Sequence, residues 1–435
     1  LHSTSRRQRQ MCIRDSSNLL YILDIRNGKG ERRIFKVIFK YLCDNYPSLA
    51  LKILPFISEL GRYDYILEGI NTKIEDDVIT LIDKQLKEDL KSEYPTLLAK
   101  WLPSHRSHNE NNKIAKIIMK KLNKTEKEYR LMLSSLRKKL NIIEKNLTEK
   151  TYDNIDFSKV PTKAMMKYTN AFQKRMPQKY EQYKEILKKG ESKINTEGLF
   201  AYEIIKKIIT NNGDDELYDL MWQNQKDILQ GCDTNVLVMA DTSGSMFAYN
   251  AIPYATSIGL ALYTAERNTG IFKNHFLTFS SQPYLCEVKG KTIREKINNI
   301  PSIIANTDID KAFELLLTTA EENGLNQTDL PSHILIISDM EFDEGTYTEE
   351  GTNFEGWKKA FKRVGYKLPK IIFWNVAGNV RGLPVTKFDN DVAIVSGFST
   401  NILENLLTLK EYNPVDVMLE KLSKYLEMLN EKDVD

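Results

Sequence analysis

At 435 residues the chain is too long for one small fold, and at about 150 residues per domain it suggests two or three. Hydrophobic residues at 41% and charged residues at 28% exclude wholesale disorder and leave enough apolar surface for sizeable cores. The net charge of +3 conceals a split, since residues 1–230 hold 43 Lys+Arg against 31 Asp+Glu and residues 231–435 hold 19 against 28, which points to a polyanion partner for the basic half.

Residues 1–16 are rich in Arg, Gln and Ser, lack any periodicity, and resemble a translated sequencing adaptor, the alternative being a natural basic, disordered tail; they are set aside from the fold. From Ser17 to Gln230 apolar residues recur three and four apart. Leu19, Leu20, Ile22 and Leu23 begin one stripe, and Ile34, Val37, Ile38, Tyr41 and Leu42 are expected on one face of the next helix. Pro47, Pro55, Gly61, Pro95, Pro103, Pro161, Pro177 and Gly190 cut the region into short helices, so residues 17–230 read as a basic all-helical domain. Its excess of charge is concentrated in residues 101–200, with 23 Lys+Arg against 11 Asp+Glu.

After Gly231 the pattern changes to short, nearly continuous apolar runs: Asn235–Ala240, His275–Phe279, His333–Ile337, Lys370–Trp374 and Val392–Val395. Helical stretches at 253–267, 308–322, 355–364, 400–409 and 414–429 lie between or after them. Continuous runs alternating with helices predict a parallel sheet covered on both faces, so residues 231–435 read as a doubly wound α/β domain and the whole chain as α + α/β. Ligands of such sheets bind at the carboxyl ends of the strands.

The first run ends in Asp241-Thr-Ser-Gly-Ser-Met246, where a carboxylate and two hydroxyls can converge on one ion across a turn that Gly244 permits. Thr307, in a loop before a helix, adds a hydroxyl, and Asp339, after the third run, adds a second carboxylate. An all-oxygen set of this kind suits a hard divalent cation, Mg²⁺ or Mn²⁺.

Asp241, Ser243, Ser245, Thr307 and Asp339 on a doubly wound sheet resemble the metal-ion-dependent adhesion site of a von Willebrand factor A (vWA) domain. The resemblance implies direct or water-mediated coordination by these five, completed by a carboxylate from an acidic protein ligand. Where that family often has Gly after the last Asp, this chain has Met340, followed by Glu341 and Asp343. A basic helical domain joined to such a domain resembles the Ro/TROVE proteins, and more closely a TROVE-like family of unknown function. The segments that carry this are Asp24-Ile-Arg-Asn-Gly-Lys-Gly-Glu-Arg-Arg33, Lys100-Trp-Leu-Pro-Ser104, Tyr129-Arg-Leu-Met-Leu-Ser-Ser-Leu-Arg-Lys-Lys-Leu140, Val160-Pro-Thr-Lys-Ala-Met-Met-Lys-Tyr168 and Ile337-Ser-Asp-Met-Glu-Phe-Asp343. It implies RNA binding by a helical-repeat domain, and further helical sequence before residue 24.

Candidate nucleic-acid contacts are Lys100, Arg106, Arg130, Arg137, Lys138, Lys163 and Lys167, with Trp101 and Tyr129 interleaved for stacking on unpaired bases. No nucleophile with a partnered base stands out, so the expectation is a non-enzymatic RNA-binding protein with a metal-dependent ligand site. The alternative is a metal-dependent protein-interaction adaptor without a nucleic-acid role. Four scattered cysteines without a metal or disulfide spacing, and the lack of any apolar run of membrane-spanning length, lead us to expect a cytoplasmic protein with no membrane partner.

Overall fold

A computed structural model describes residues 17–25, 32–105, 107, 109–140, 142–196, 198–230, 235–279, 282–301, 308–340, 353–377, 391–397, 403 and 422–428. The chain divides into two compact units, residues 1–160 with 418–435, and residues 161–417.

In the first unit the described regular elements are all helices, α-helical or short 3-10 turns, around one apolar core. The helix Arg32–Asn45 buries Phe35, Phe39, Leu42 and Cys43. This corrects the expected face: Ile34, Val37 and Tyr41 are 40%, 61% and 56% exposed, and of the predicted stripe Leu42 alone is buried. The reason is volume, because the two phenylalanines fill the interior and Phe35 packs its ring 4.5 Å from that of buried Tyr65. The helix Glu126–Lys139 follows local rules closely. Thr125 caps the amide of Glu128 while the Glu128 side chain returns to the Thr125 amide, and Arg137, Lys138 and Lys139 crowd the carbonyl end of the dipole. Leu422 and Tyr425 from the C-terminal segment join this core, and the Tyr425 hydroxyl donates to buried Asp24 at 2.9 Å.

The second unit contains helices from Thr162–Arg175 through Asp215–Gln223 and a six-stranded sheet. Strands β1 (Val236–Asp241), β2 (His275–Phe279), β3 (Tyr284–Glu287), β4 (His333–Ser338), β5 (Lys370–Asn375) and β6 (Val392–Ser396) lie in the order 3-2-1-4-5-6. All neighbours are parallel except β3, which pairs antiparallel with β2 at one edge. The five long apolar runs are thus five of the strands. The sixth, β3, is short and half exposed and carries no comparable apolar signal.

Side chains alternate between two faces of the sheet. Leu237, Met239, Ile334, Ile336, Ile371 and Phe373 share one core with the helices Ile309–Glu322 and Asn353–Arg363. The helix Ala248–Arg267 packs against β1, β2 and β4, and the helix Ala201–Ile209 packs on that helix in turn. Gly259 allows this second contact, since a Cβ there would stand 3.1 Å from the Tyr202 amide nitrogen. Both β1 and β4 are buried along their whole length, as central strands covered on both faces must be.

Candidate functional site

The strand order reverses at β1, whose sequence neighbour β2 lies on one side and β4 on the other. At such a switch point the loops leaving adjacent strands turn away from each other and open a crevice at the carboxyl ends. Asp241 is the last residue of β1 and Ser338 the last of β4, one step beyond the paired Ala240 and Ile337.

The side chains there are knitted together. Asp241 Oδ1 accepts the Ser243 amide at 2.9 Å, and Asp241 Oδ2 accepts the Ser338 hydroxyl at 2.6 Å. Ser243 Oγ and Ser245 Oγ lie 3.1 Å apart, with Ser243 buried and Ser245 exposed. Asp339 is 3% exposed and Asp241 fully buried. Burial pushes the Asp241 carboxyl up to about 6, with the negative charge of Asp339 adding to the rise and the donors from Ser338 and Ser243 opposing it. Two buried carboxylates with one buried and one exposed hydroxyl make an oxygen-only donor set, which in chemical character fits a hard divalent cation. Among the described residues no group of three or more His, Cys, Asp or Glu side chains could hold a metal, so any ion site here depends on hydroxyls as well as carboxylates.

Of the five expected ligands, Asp241, Ser243, Ser245 and Asp339 are therefore placed at this end of the sheet, while Thr307, like Glu341 and Asp343, lies outside the described residues. Asp308, next to Thr307, caps the helix Ile309–Glu322 by accepting the Lys311 amide. Met340 adopts a φ of 63°, the left-handed region where glycine is at home, with its side chain fully buried. Sequence reasoning passed over Ser338. No signal in the sequence marked it, because the pairing of β4 with β1 that sets Ser338 beside Asp241 is known only from the strand order.

The basic residues fall into two groups. Arg137 donates to the carbonyls of Ala99 (2.8 Å) and Leu102 (2.7 Å) and to Ser104 Oγ (2.8 Å). Burial holds its guanidinium below the usual range. Lys100 pairs with Glu144 at 3.2 Å, and Lys163 with Glu203 at 2.9 Å. Arg130 and Lys138 are exposed and make no ion pair among the described residues, and Lys167 is exposed over the Tyr168 ring. Arg106 lies outside the described residues. The expected stacking by Tyr129 is corrected: the ring is fully buried and its hydroxyl donates to the Pro103 carbonyl at 3.0 Å. Trp101 is half-buried, with the Arg62 guanidinium 3.8 Å from its ring centre.

No described helix is long and apolar enough to cross a membrane. Residues 235–433 match the family model described as Domain of unknown function (DUF7788), and residues 70–236 match that described as Domain of unknown function (DUF2828). The two matches meet where β1 begins. An uncharacterized protein of Acanthamoeba polyphaga mimivirus is 28% identical over 457 residues, covering 94% of this chain and 79% of the viral protein. No solved structure matches the chain.

Proposed function

We propose that the chain is a non-enzymatic, Ro-like RNA-binding protein whose sheet unit is a vWA-like domain with a metal-ion-dependent adhesion site. One observation carries the metal half: Asp241 and Asp339 are buried together at the switch point of a 3-2-1-4-5-6 sheet, beside Ser243 and Ser245. Asp241, Ser243, Ser245 and Asp339 would hold Mg²⁺ or Mn²⁺, with Thr307 as the fifth ligand that the resemblance implies. Once bound, the cation offers a coordination position to a carboxylate or phosphate oxygen of a ligand.

Charge supports the RNA half. The unit formed by residues 1–160 and 418–435 holds 34 Lys+Arg against 26 Asp+Glu, and the other unit 28 against 33. Among the described candidates, Arg130 and Lys138 on the first of these units and Lys167 on the other are exposed, and each phosphate contact to single-stranded RNA contributes about −0.7 to the log–log salt slope.

Two experiments test the reading. Mg²⁺ at about a hundred times its dissociation constant adds about 2.7 kcal/mol to the stability of the parent chain, and Asp241→Ala remains folded but loses this increment. Equal Mg²⁺ shifts in both would sink the metal half. Retention on an RNA column at low salt falls sharply in the triple variant Arg130→Glu/Lys138→Glu/Lys167→Glu; equal, negligible retention of parent and variant overturns the RNA half. The adaptor reading draws on the intramolecular partners of Lys100, Arg137 and Lys163, and it predicts Mg²⁺-dependent capture of an acidic peptide with no RNA retention at all.

A further inference from the structure

We propose that Ser338, which is outside the expected ligand set, is the positioning residue that joins the two halves of the metal site. The inference rests on the metal reading above and concerns the chain's own hydrogen bonds.

One oxygen atom makes the connection. Ser338 Oγ donates to Asp241 Oδ2 at 2.6 Å and accepts the Met340 amide at 3.0 Å. A hydroxyl has one proton and two lone pairs, so a single Oγ can serve a carboxylate on one side and an N–H on the other. Ser338 and Asp241 are both fully buried, and water cannot replace either bond without entering the interior.

The first bond fixes Asp241. With Oδ1 held by the Ser243 amide and Oδ2 by Ser338, one donor from the loop after β1 and one from the end of β4 set the rotation of the carboxylate plane. The second bond fixes the turn that carries Asp339. That residue sits between Ser338, whose carbonyl accepts the Val376 amide at 3.0 Å, and Met340, whose amide is tied to the Ser338 hydroxyl. Met340 is held at a φ of 63°, a conformation costly for any residue with a Cβ, which persists only where the surroundings enforce it. The hydroxyl of Ser338 and the buried Met340 side chain are what enforce it here. Removing the hydroxyl therefore loosens both carboxylates at once, although Ser338 itself need never touch the ion.

The test compares the parent chain with Ser338→Ala, Ser338→Thr and Ser338→Cys, measuring Mg²⁺ and Mn²⁺ affinity by calorimetry and melting temperature in EDTA. Residues that orient metal ligands typically cost 10–100-fold in affinity when removed. The expected result is a dissociation constant about tenfold higher for Ser338→Ala and within about threefold of the parent for Ser338→Thr, which keeps the hydroxyl. A purely structural role would lower the EDTA melting temperature and leave the affinity unchanged. Parent-like affinity in Ser338→Ala overturns the inference. Should that variant fail to fold, Ser338→Cys, with a weak thiol donor, takes its place, and parent-like affinity in it overturns the inference equally. A parent chain that binds neither metal overturns the underlying metal reading and this inference together, a result distinguishable because it appears before any variant is compared.

Discussion

At the carboxyl ends of β1 and β4, Asp241, Ser243 and Ser338 are buried and hydrogen-bonded to one another beside buried Asp339, whereas Arg130 and Lys138 on the helix Glu126–Lys139 stand in solvent. On that same helix Arg137 behaves like the buried set, spending its guanidinium on Ala99, Leu102 and Ser104. Residue type therefore says little about role; burial and bonding decide. A polar group that is buried must be satisfied, so its position is specified to within a bond length, while an exposed lysine is free to serve a partner and contributes little to the fold.

The contrast is tested most severely by pH. Buried His333, the first residue of β4, has its pKa pushed down to about 4, by burial first and by the charge of Lys370 second, with Asp391 opposing. The folded chain thus holds the imidazole neutral, whereas the unfolded chain takes up a proton near 6.5. Between those values the unfolded state binds more protons, so stability present above pH 6.5 is lost as pH falls toward 4, by about 3 kcal/mol. Because the raised carboxyl of Asp241 shifts stability in the opposite direction over much of the same range, the check is the difference in urea stability between parent and His333→Gln from pH 7 to 4, in which the parent should lose ground by about that amount.

Next in size is Arg137→Met, which leaves the Ala99 and Leu102 carbonyls without their donor and costs about 2–3 kcal/mol. Urea denaturation reads it directly. A loss below about 0.5 kcal/mol would place Arg137 with the free cations and erase the distinction drawn above.

How much of this was legible beforehand follows the same division. Strands β1, β4 and β5 were readable because a strand buried on both faces has little room for polar residues, and the Asp241 motif falls at the end of the first of them; β6 was readable from its apolar residues although it is only half-buried. Strand β3 was not readable, since only Cys286 of its four residues is buried. The buried face of Arg32–Asn45 was misread because Ile34, Val37 and Tyr41 keep helical spacing as well as Phe35, Phe39 and Leu42 do, and spacing alone does not say which stripe meets the core. Ser338 and Arg137 were invisible as positioning and structural groups for a common reason: their partners are 97 and up to 38 residues away in the chain. Only the packed fold brings them together.

A smaller effect is expected from Met340→Gly. Glycine adopts a φ of 63° without the Cβ penalty, which returns about 1 kcal/mol, but the lost burial of the methionine side chain costs about 2–3 kcal/mol. The net loss is about 1–2 kcal/mol by urea denaturation, with the turn that carries Asp339 kept in place. Met340→Ala loses the packing and keeps the strain, so it should be the less stable of the two; the reverse order would mean that the positive φ carries no strain in this turn.

The smallest effect belongs to the exposed side of the comparison. Arg130→Ala and Lys138→Ala remove no ion pair among the described residues and bury nothing, so each should alter stability by less than about 0.5 kcal/mol. Their effect should appear instead in the salt dependence of RNA binding, with each lost phosphate contact reducing the slope by about 0.7 for single strands. Arg137→Met serves as the control, because its guanidinium is committed inward and its removal should lower stability while leaving that slope where it was. If Arg130→Ala and Lys138→Ala leave both stability and slope unchanged, the exposed face of Glu126–Lys139 is only a solvated surface, and RNA contact would have to be sought around Lys167.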